Sequence, residues 1–180
     1  MFNEANTVES YLCDLLCGPL RPAVASMVAE PDPKYLTAGR NRKGLGWHFV
    51  APDRLPRQPQ DVLIESWVRD SLIRLNPEIA EQPERADEVL YKLRAVILSI
   101  RSDGLIRANE EMTAWLRGER SMPFGHNNEH VPIKLIDLED LDQNQYVATN
   151  QFTYRAGPME RRADLMLIVN GFPLVLIEAK

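Results

Sequence analysis

Cysteine is scarce in this sequence, and positive charge is not in excess. Cys13 and Cys17 are the 2 cysteines among 180 residues, too few for a disulfide framework. They are four positions apart on a predicted helix, so we interpret them as reduced thiols of an intracellular protein rather than as half of a zinc site. The formal net charge of −5 excludes a broadly basic nucleic-acid coat, although a local basic patch is compatible with it.

A targeting signal and a long apolar run are also lacking. Residues 1–4 have neither the basic stretch nor the apolar core of a signal peptide. The longest apolar run, residues 165–177, is interrupted by Asn170, Gly171 and Pro173, and it is shorter than the roughly 20 residues of a membrane helix. We therefore expect a cytoplasmic protein with no membrane partner.

Length and periodicity predict a single domain, residues 1–180, in which helices precede strands. A chain of 180 residues can bury roughly 70% of its unfolded surface. Residues 1–118 are predicted to be helical, apart from an irregular insert rich in proline and glycine at residues 31–59. Helical periodicity is found at residues 8–16, 61–75, 86–100 and 105–116, with Asp61 as a predicted N-cap and with Asn76, Gly104 and Gly118 at predicted ends.

The periodicity of the chain changes to that of strands over residues 131–180. Residues 145–155 alternate with period two, which predicts a half-buried strand, and residues 131–136 are its predicted neighbour. Residues 165–169 and 172–177 are nearly all apolar, as expected of strands covered on both faces, and Asn170–Gly171 predicts a hairpin turn between them. The expected fold class is therefore α/β, a mixed β-sheet flanked by helices.

Three ionisable side chains stand at the open end of this hairpin. Asp164 precedes one strand, and Glu178 and Lys180 end the other, two positions apart and hence on one face. A two-residue loop would pair Asp164 with Ile177 and turn Glu178 to the other face. A three-residue loop at residues 169–171, with its glycine in a bulge, would place all three side chains on one face, and this is the loop that we predict.

Two carboxylates and an amine at one end of an apolar hairpin are compatible with a divalent-metal phosphodiesterase site. Asp164 and Glu178 would supply oxygen ligands to Mg²⁺. The metal would polarise the phosphate and lower the pKa of a bound water, while Lys180 would hydrogen-bond that water or stabilise charge at phosphorus. The alternative interpretation, favoured by spacing alone, is that charged strand ends simply meet water.

The pattern of an Asp, a short hairpin and Glu-x-Lys resembles that of the PD-(D/E)xK nuclease superfamily. Its surroundings are similar to the N-terminal nuclease region of type I restriction enzyme R subunits, over most of the chain from about residue 61. The motifs that carry this resemblance are Leu-Asn-Pro-Glu-Ile at 75–79, Leu-Ile-Asp at 135–137, Asn-Gln-Phe at 150–152, Arg-Arg-Ala-Asp at 161–164 and, most specifically, Val-Asn-Gly-Phe-Pro-Leu-Val-Leu-Ile-Glu-Ala-Lys at 169–180.

The resemblance implies a restriction-endonuclease-like core and the activity of a type I site-specific deoxyribonuclease. This activity is magnesium-dependent hydrolysis of phosphodiester bonds in unmodified DNA, with Mn²⁺ as a substitute for Mg²⁺. Asp164, Glu178 and Lys180 would be catalytic. Asp164 and Glu178 would bind the metal together with an acidic residue of an early helix, which Glu9 matches best. Glu4 is the alternative ligand, and a solvent-facing Glu9 without a role is an equally weighted interpretation.

Three arginines, Arg155, Arg161 and Arg162, form a small basic group beside Asp164 and could contact DNA phosphates. The competing interpretation is a solvated turn in which they balance nearby acids. In either case, the resemblance implies DNA and the modification and specificity subunits of a restriction complex as partners.

The same resemblance implies an ATP-driven motor that this chain does not contain. Gly39 and Gly44 have the spacing of a phosphate-binding loop, but Leu45 stands where lysine is required. ATP is therefore expected only for a full-length subunit. The family's domain continues past Lys180, so we expect a C-terminally incomplete fold whose last strand is an uncovered edge. The alternative function is a non-catalytic DNA-binding or subunit-docking module that retains the nuclease fold.

Overall fold

The computed structural model describes residues 4–18 and 44–178. Short 3-10 turns occur in addition to the helices and strands. In chain order the elements are α1 (Glu4–Cys17), β1 (His48–Phe49), α2 (Glu65–Leu75), α3 (Pro77–Glu81), α4 (Arg85–Leu98), α5 (Ile100–Asp103), α6 (Leu105–Leu116), β2 (Ser121–Met122), β3 (Val131–Pro132), β4 (Tyr146–Ala156), β5 (Met159–Val169) and β6 (Phe172–Ile177).

These elements belong to two compact units rather than to one. The first unit contains α1, β1, β4, nearly all of β5 and the end of β6, and the second contains residues 56–145 and 169–173. The prediction of mixed α/β structure is confirmed. The prediction of one domain over residues 1–180 stays a prediction.

The first unit is built on a four-stranded sheet in the order β1-β4-β5-β6. β1 runs parallel to β4, with His48 opposite Val147 and Phe49 opposite Ala148. The β4–β5 and β5–β6 connections contain only two residues each, which joins antiparallel neighbours. The sheet is therefore mixed, as predicted.

Helix α1 packs its apolar face against this sheet. Cys13, Ala148, Leu165 and Leu167 are buried together, and fully burying a leucine contributes roughly 1.5–3 kcal/mol. Burial raises the pKa of the Cys13 thiol to about 11, as expected of an inert reduced cysteine. The helix ends at Cys17, directly before Gly18, which has a φ of 80°.

The second unit encloses its own core with α2, α3, α4, α6 and the β2–β3 ladder. The buried residues at its centre are Leu63, Val68, Leu72, Ile79, Ala86, Val89, Leu90, Leu93, Trp115, Met122, Phe124, Ile133, Leu135 and Phe172. α6 spans the predicted residues 105–116, and Gly104 and Gly118 flank it with φ angles of 84° and 72°. These angles explain why glycine stands at both ends.

The prediction that residues 131–136 pair with the strand at 145–155 is wrong. β3 contains only Val131 and Pro132, and it pairs antiparallel with β2. Ile133 and Leu135 are buried in the core of the second unit, which explains their apolar character without a longer strand. The neighbour of β4 is β1, a two-residue strand from the segment predicted to be irregular.

The predicted start of α2 at Asp61 is also wrong. The helix begins at Glu65, and the Asp61 carboxylate instead accepts a 2.8 Å hydrogen bond from the backbone N–H of Gln58. The predicted end is confirmed, since Asn76 has a φ of −127° and Pro77 starts α3. Asp61 therefore closes a turn before the helix and does not cap it.

Strand β6 is the last strand of the sheet among the described residues. Leu174, Val175 and Leu176 are exposed, so the prediction that residues 172–177 are covered on both faces is wrong. The prediction of a C-terminally incomplete fold with an uncovered last strand stays a prediction. In the described ranges, no helix is long and apolar enough to cross a bilayer.

Candidate functional site

The candidate site depends on how the β5–β6 hairpin turns. β5 ends at Val169 and β6 starts at Phe172, so the loop has two residues and the predicted three-residue loop is wrong. Asn170 and Gly171 have φ angles of 51° and 87°, the conformation of a type I′ turn, in which both central residues adopt a positive φ.

Burial of Asn170 in the second unit explains this turn. The Asn170 side chain is fully buried. Its amide nitrogen donates to the Leu135 carbonyl and to Asn144 Oδ1, each at 2.9 Å. Its oxygen accepts from the Gln145 backbone N–H at 2.8 Å and from Arg74 at 3.1 Å. Both donors and both acceptor positions of the amide are thus satisfied.

Gly171 is held equally tightly within the same unit. Its carbonyl accepts a 2.9 Å hydrogen bond from the Ile64 backbone N–H. A Cβ at Gly171 would lie 2.7 Å from the Ile64 carbonyl oxygen and 2.8 Å from the Val68 nitrogen. The turn is therefore selected by tertiary contacts as well as by the local Asn-Gly preference. The sequence shows the Asn-Gly preference but not the tertiary contacts.

The open end of this hairpin carries Asp164 on β5 and Glu178 directly after β6. Leu165 and Leu167 pack in one cluster on β5, and Ile177 packs against that same cluster. Since side chains alternate along extended chain, Asp164 belongs to the face of β5 opposite to Leu165 and Leu167. Asp164 is half-buried and Glu178 is exposed, so the open end of the hairpin presents both carboxylates.

The predicted third carboxylate, Glu9, is neither solvent-facing nor assembled with these two. It is buried on α1, where Gln151 Nε2 donates to its oxygens at 3.2 and 3.5 Å. In residues 4–18 and 44–178, no group of three or more His, Cys, Asp or Glu side chains lies close enough to hold a metal ion. The structure therefore does not bring Glu9, Asp164 and Glu178 together.

Gln151 is a residue of this region to which sequence analysis gave no role. It lies within β4 with a φ of 49°, a left-handed conformation that costs a non-glycine residue roughly 1–2 kcal/mol. Its place in the Asn-Gln-Phe motif at 150–152 was the only signal in the sequence. Lys180 and the side chain of Glu4 lie outside the described residues, so their predicted roles stay predictions.

The three predicted DNA-contacting arginines differ in their surroundings. Arg155 is paired with Glu160, whose carboxylate accepts from the guanidinium at 2.6 and 3.1 Å. Arg161 and Arg162 are exposed on β5. Because Arg155 is already balanced by an acid, its interpretation as a charge-balancing residue is supported, whereas Arg161 and Arg162 remain available.

These features define a mixed α/β chain that presents carboxylates and arginines at the open end of an apolar hairpin. Comparison of the sequence with known families shows to which family the chain belongs. The chain belongs to the family described as the type I restriction enzyme R protein N terminus, which matches residues 40–180. The chain is thus an N-terminal region of an R subunit.

Curated relatives agree with this assignment. The chain is 28% identical over 167 residues to the type I restriction enzyme HindI endonuclease subunit of Haemophilus influenzae. This alignment covers 86% of this chain and 15% of the relative. It is 24% identical over 149 residues to a Methanocaldococcus jannaschii protein named as the MjaIXP endonuclease subunit, covering 77% of this chain and 14% of the relative. The chain thus spans only a small part of these relatives. No solved structure matches it.

Proposed function

We propose that this chain is the magnesium-dependent endonuclease domain of a type I restriction enzyme R subunit. It would have a PD-(D/E)xK core and would hydrolyse phosphodiester bonds of unmodified DNA. The observation that carries the proposal is that the family match at residues 40–180 includes the whole hairpin, with Asp164 and Glu178 presented at its open end.

The donor chemistry of this hairpin end fits Mg²⁺. This cation prefers oxygen ligands and is usually bound by one or two carboxylates, with waters and substrate phosphates completing the octahedron. Asp164 and Glu178 satisfy that requirement without a third protein ligand. Glu9 stays a proposed additional ligand, and its buried carboxylate would have to exchange the Gln151 hydrogen bond for the metal.

The chain's own residues would divide the work of hydrolysis. Asp164 and Glu178 would hold Mg²⁺, which when bound lowers the pKa of a coordinated water and neutralises charge on the phosphate. Lys180 would donate a hydrogen bond to the attacking water or to a phosphate oxygen. The buried residues 165–169 would keep Asp164 on a rigid strand, since precise sites require well-packed supports.

The partners follow from the same proposal. The chain would contact DNA directly and would act in the cytoplasm in a complex with modification and specificity subunits. ATP would be used only by the motor of a full-length subunit, with Mg²⁺ or Mn²⁺ as the nuclease cofactor.

Calorimetric titration of the purified chain with Mn²⁺ tests the metal site. We expect binding by the parent chain, at least a tenfold loss of affinity in Asp164→Asn, and unchanged affinity in Asp53→Asn. Asp53 is an exposed aspartate of the first unit, so it controls for the change in charge. Retained binding in Asp164→Asn would place the metal elsewhere.

Cleavage by the assembled restriction complex tests the reaction. Asp164→Ala, Glu178→Ala and Lys180→Ala should each abolish DNA cleavage while ATP hydrolysis continues, because the motor lies outside this chain. Loss of ATP hydrolysis with retained cleavage would contradict the proposal.

A non-catalytic DNA-binding or subunit-docking module is the second candidate function. The observation that favours it is that the Glu9 carboxylate is buried and accepts hydrogen bonds from Gln151, so the proposed helix-borne ligand is already engaged. Such a module would tolerate Asp164→Asn, so full cleavage by a complex that carries this variant would support the second candidate over the first.

A further inference from the structure

The outer half of the β4–β5 hairpin is exposed to solvent on both strands. Residues 155–162 are all exposed, whereas Ala163 and Leu165 are buried. The hairpin thus extends beyond the packed part of the first unit and leads directly to Asp164.

The Arg155–Glu160 ion pair shows which residues share a face in the outer half of the β4–β5 hairpin. The two-residue turn at 157–158 places Arg155 directly opposite Glu160, and the 2.6 Å contact between their side chains agrees with that pairing. Alternation along β5 then puts Glu160, Arg162 and Asp164 on one face, and Arg161 on the other.

Arg162 and Asp164 are two residues apart on that face, a separation of roughly 6.7 Å along a strand. An arginine side chain spans this distance, and its planar guanidinium can bind a phosphate through two parallel hydrogen bonds. Glu160 lies two residues before Arg162 on the same face, but its carboxylate already accepts a hydrogen bond from Arg155. Within the part of the chain that the structure describes, the Arg162 guanidinium has no ion-pair partner.

We propose that Arg162, and neither Arg155 nor Arg161, binds the DNA phosphate that is placed at Asp164. This inference rests on the proposed function, because it assigns the substrate contact of the same site. Arg155 is held by Glu160, and Arg161 projects from the opposite face. The charge of Arg162 is therefore the one that the hairpin directs toward the phosphate at the carboxylates.

Fluorescence anisotropy with a labelled DNA duplex of about 20 base pairs tests this assignment. The binding medium contains Ca²⁺ in place of Mg²⁺ to prevent cleavage. Arg162→Gln should weaken binding by roughly tenfold, since it removes hydrogen bonds to a charged group, and should reduce the slope of log affinity against log salt by about 0.9. Arg161→Gln is the matched control, with the same change in charge on the neighbouring residue, and should weaken binding by about twofold or less because of screening.

Equal losses in Arg161→Gln and Arg162→Gln would overturn the assignment, and so would the absence of DNA binding by the parent chain. The manganese titration separates this failure from that of the proposed function. Manganese binding that depends on Asp164 would leave the nuclease proposal standing. A loss of DNA binding specific to Arg162, in a chain that binds no manganese, would retain the DNA contact and contradict the nuclease proposal.

Discussion

The two ends of the β5–β6 hairpin are built in opposite ways. At the turn, Asn170 is fully buried and every polar position of its side chain is hydrogen-bonded. At the open end, Arg162 and Glu178 are exposed and Asp164 is only half-buried. The first arrangement stabilises the native turn, since it leaves no buried polar group unsatisfied. The second leaves charged groups accessible to a ligand, so under the proposed function stability and binding depend on different ends of one motif.

The largest effect on stability is expected at the turn, from Gly171→Ala. The new Cβ would meet backbone atoms at 2.7 and 2.8 Å and would force alanine into a positive φ, which together should cost about 3 kcal/mol or more. Thermal unfolding followed by circular dichroism should show a fall in Tm of roughly 6–12 °C.

Gly157→Ala is the matched control for Gly171→Ala. Gly157 also has a positive φ, 59°, but no atom lies within 4 Å of the position of its Cβ. The Gly157→Ala variant should lose only about 1–2 kcal/mol of its free energy of unfolding, because of backbone strain. Equal losses in the two variants would show that the contacts with α2 contribute nothing to the selection of the turn.

A smaller effect, dependent on pH, is expected at Asp137, which lies in the same unit as the turn. Hydrogen bonds from the backbone of Asp140, from the Lys134 side chain and from the backbone of Glu139 hold the pKa of Asp137 below its usual range. The unfolded chain then binds more protons than the folded chain between that lowered pKa and about pH 4. The stabilisation that the ionised Asp137 gives to the folded chain should be complete above about pH 4. It should be lost as the pH falls through the pKa that Asp137 has in the folded chain.

Urea denaturation at several pH values between 5 and 2 measures this contribution. The free energy of unfolding of the parent chain should fall more steeply with acidification than that of Asp137→Asn, which cannot titrate at this position. Parallel pH profiles for the two proteins would show that the Asp137 hydrogen bonds do not favour its ionised form.

The smallest effect on stability is expected at the open end, from Glu178→Gln. Glu178 is exposed, so the free energy of unfolding should change by less than about 0.5 kcal/mol. Mn²⁺ affinity measured by calorimetry should nevertheless fall at least tenfold. A variant that lost stability but kept its manganese affinity would remove the contrast between the two ends.

Much of the secondary structure could be predicted because its causes are local. Gly104 and Gly118 limit α6, and the residue before Pro77 avoids the helical conformation, so α2 ends at Leu75. The hairpin at Asn170–Gly171 follows from the tolerance of both residues for a positive φ. Asp61 shows where such rules fail, because Gln58 captures the side chain that would otherwise cap the helix.

The candidate site was predictable in its residue types and not in its geometry. The Asp164, Glu178 and Lys180 motif is carried by sequence spacing and family resemblance. The burial of Glu9 depends on which face of α1 packs against the sheet, and its partner Gln151 is 142 residues away in sequence. Spacing between neighbours along a chain contains no information about such a contact.

Residue order alone predicts the helices limited by glycine and proline, the apolar hairpin, the charged residues at its open end and the family of the protein. Packing between distant segments sets the pairing of β1 with β4 and of β3 with β2 and the two-residue turn of the hairpin. Among the described residues, it also gives Arg155 an ion-pair partner and leaves Arg162 without one. The reason is physical. Backbone sterics and periodicity act over a few residues, whereas strand partners, turn selection and charge pairing depend on atoms that come together only when distant segments pack.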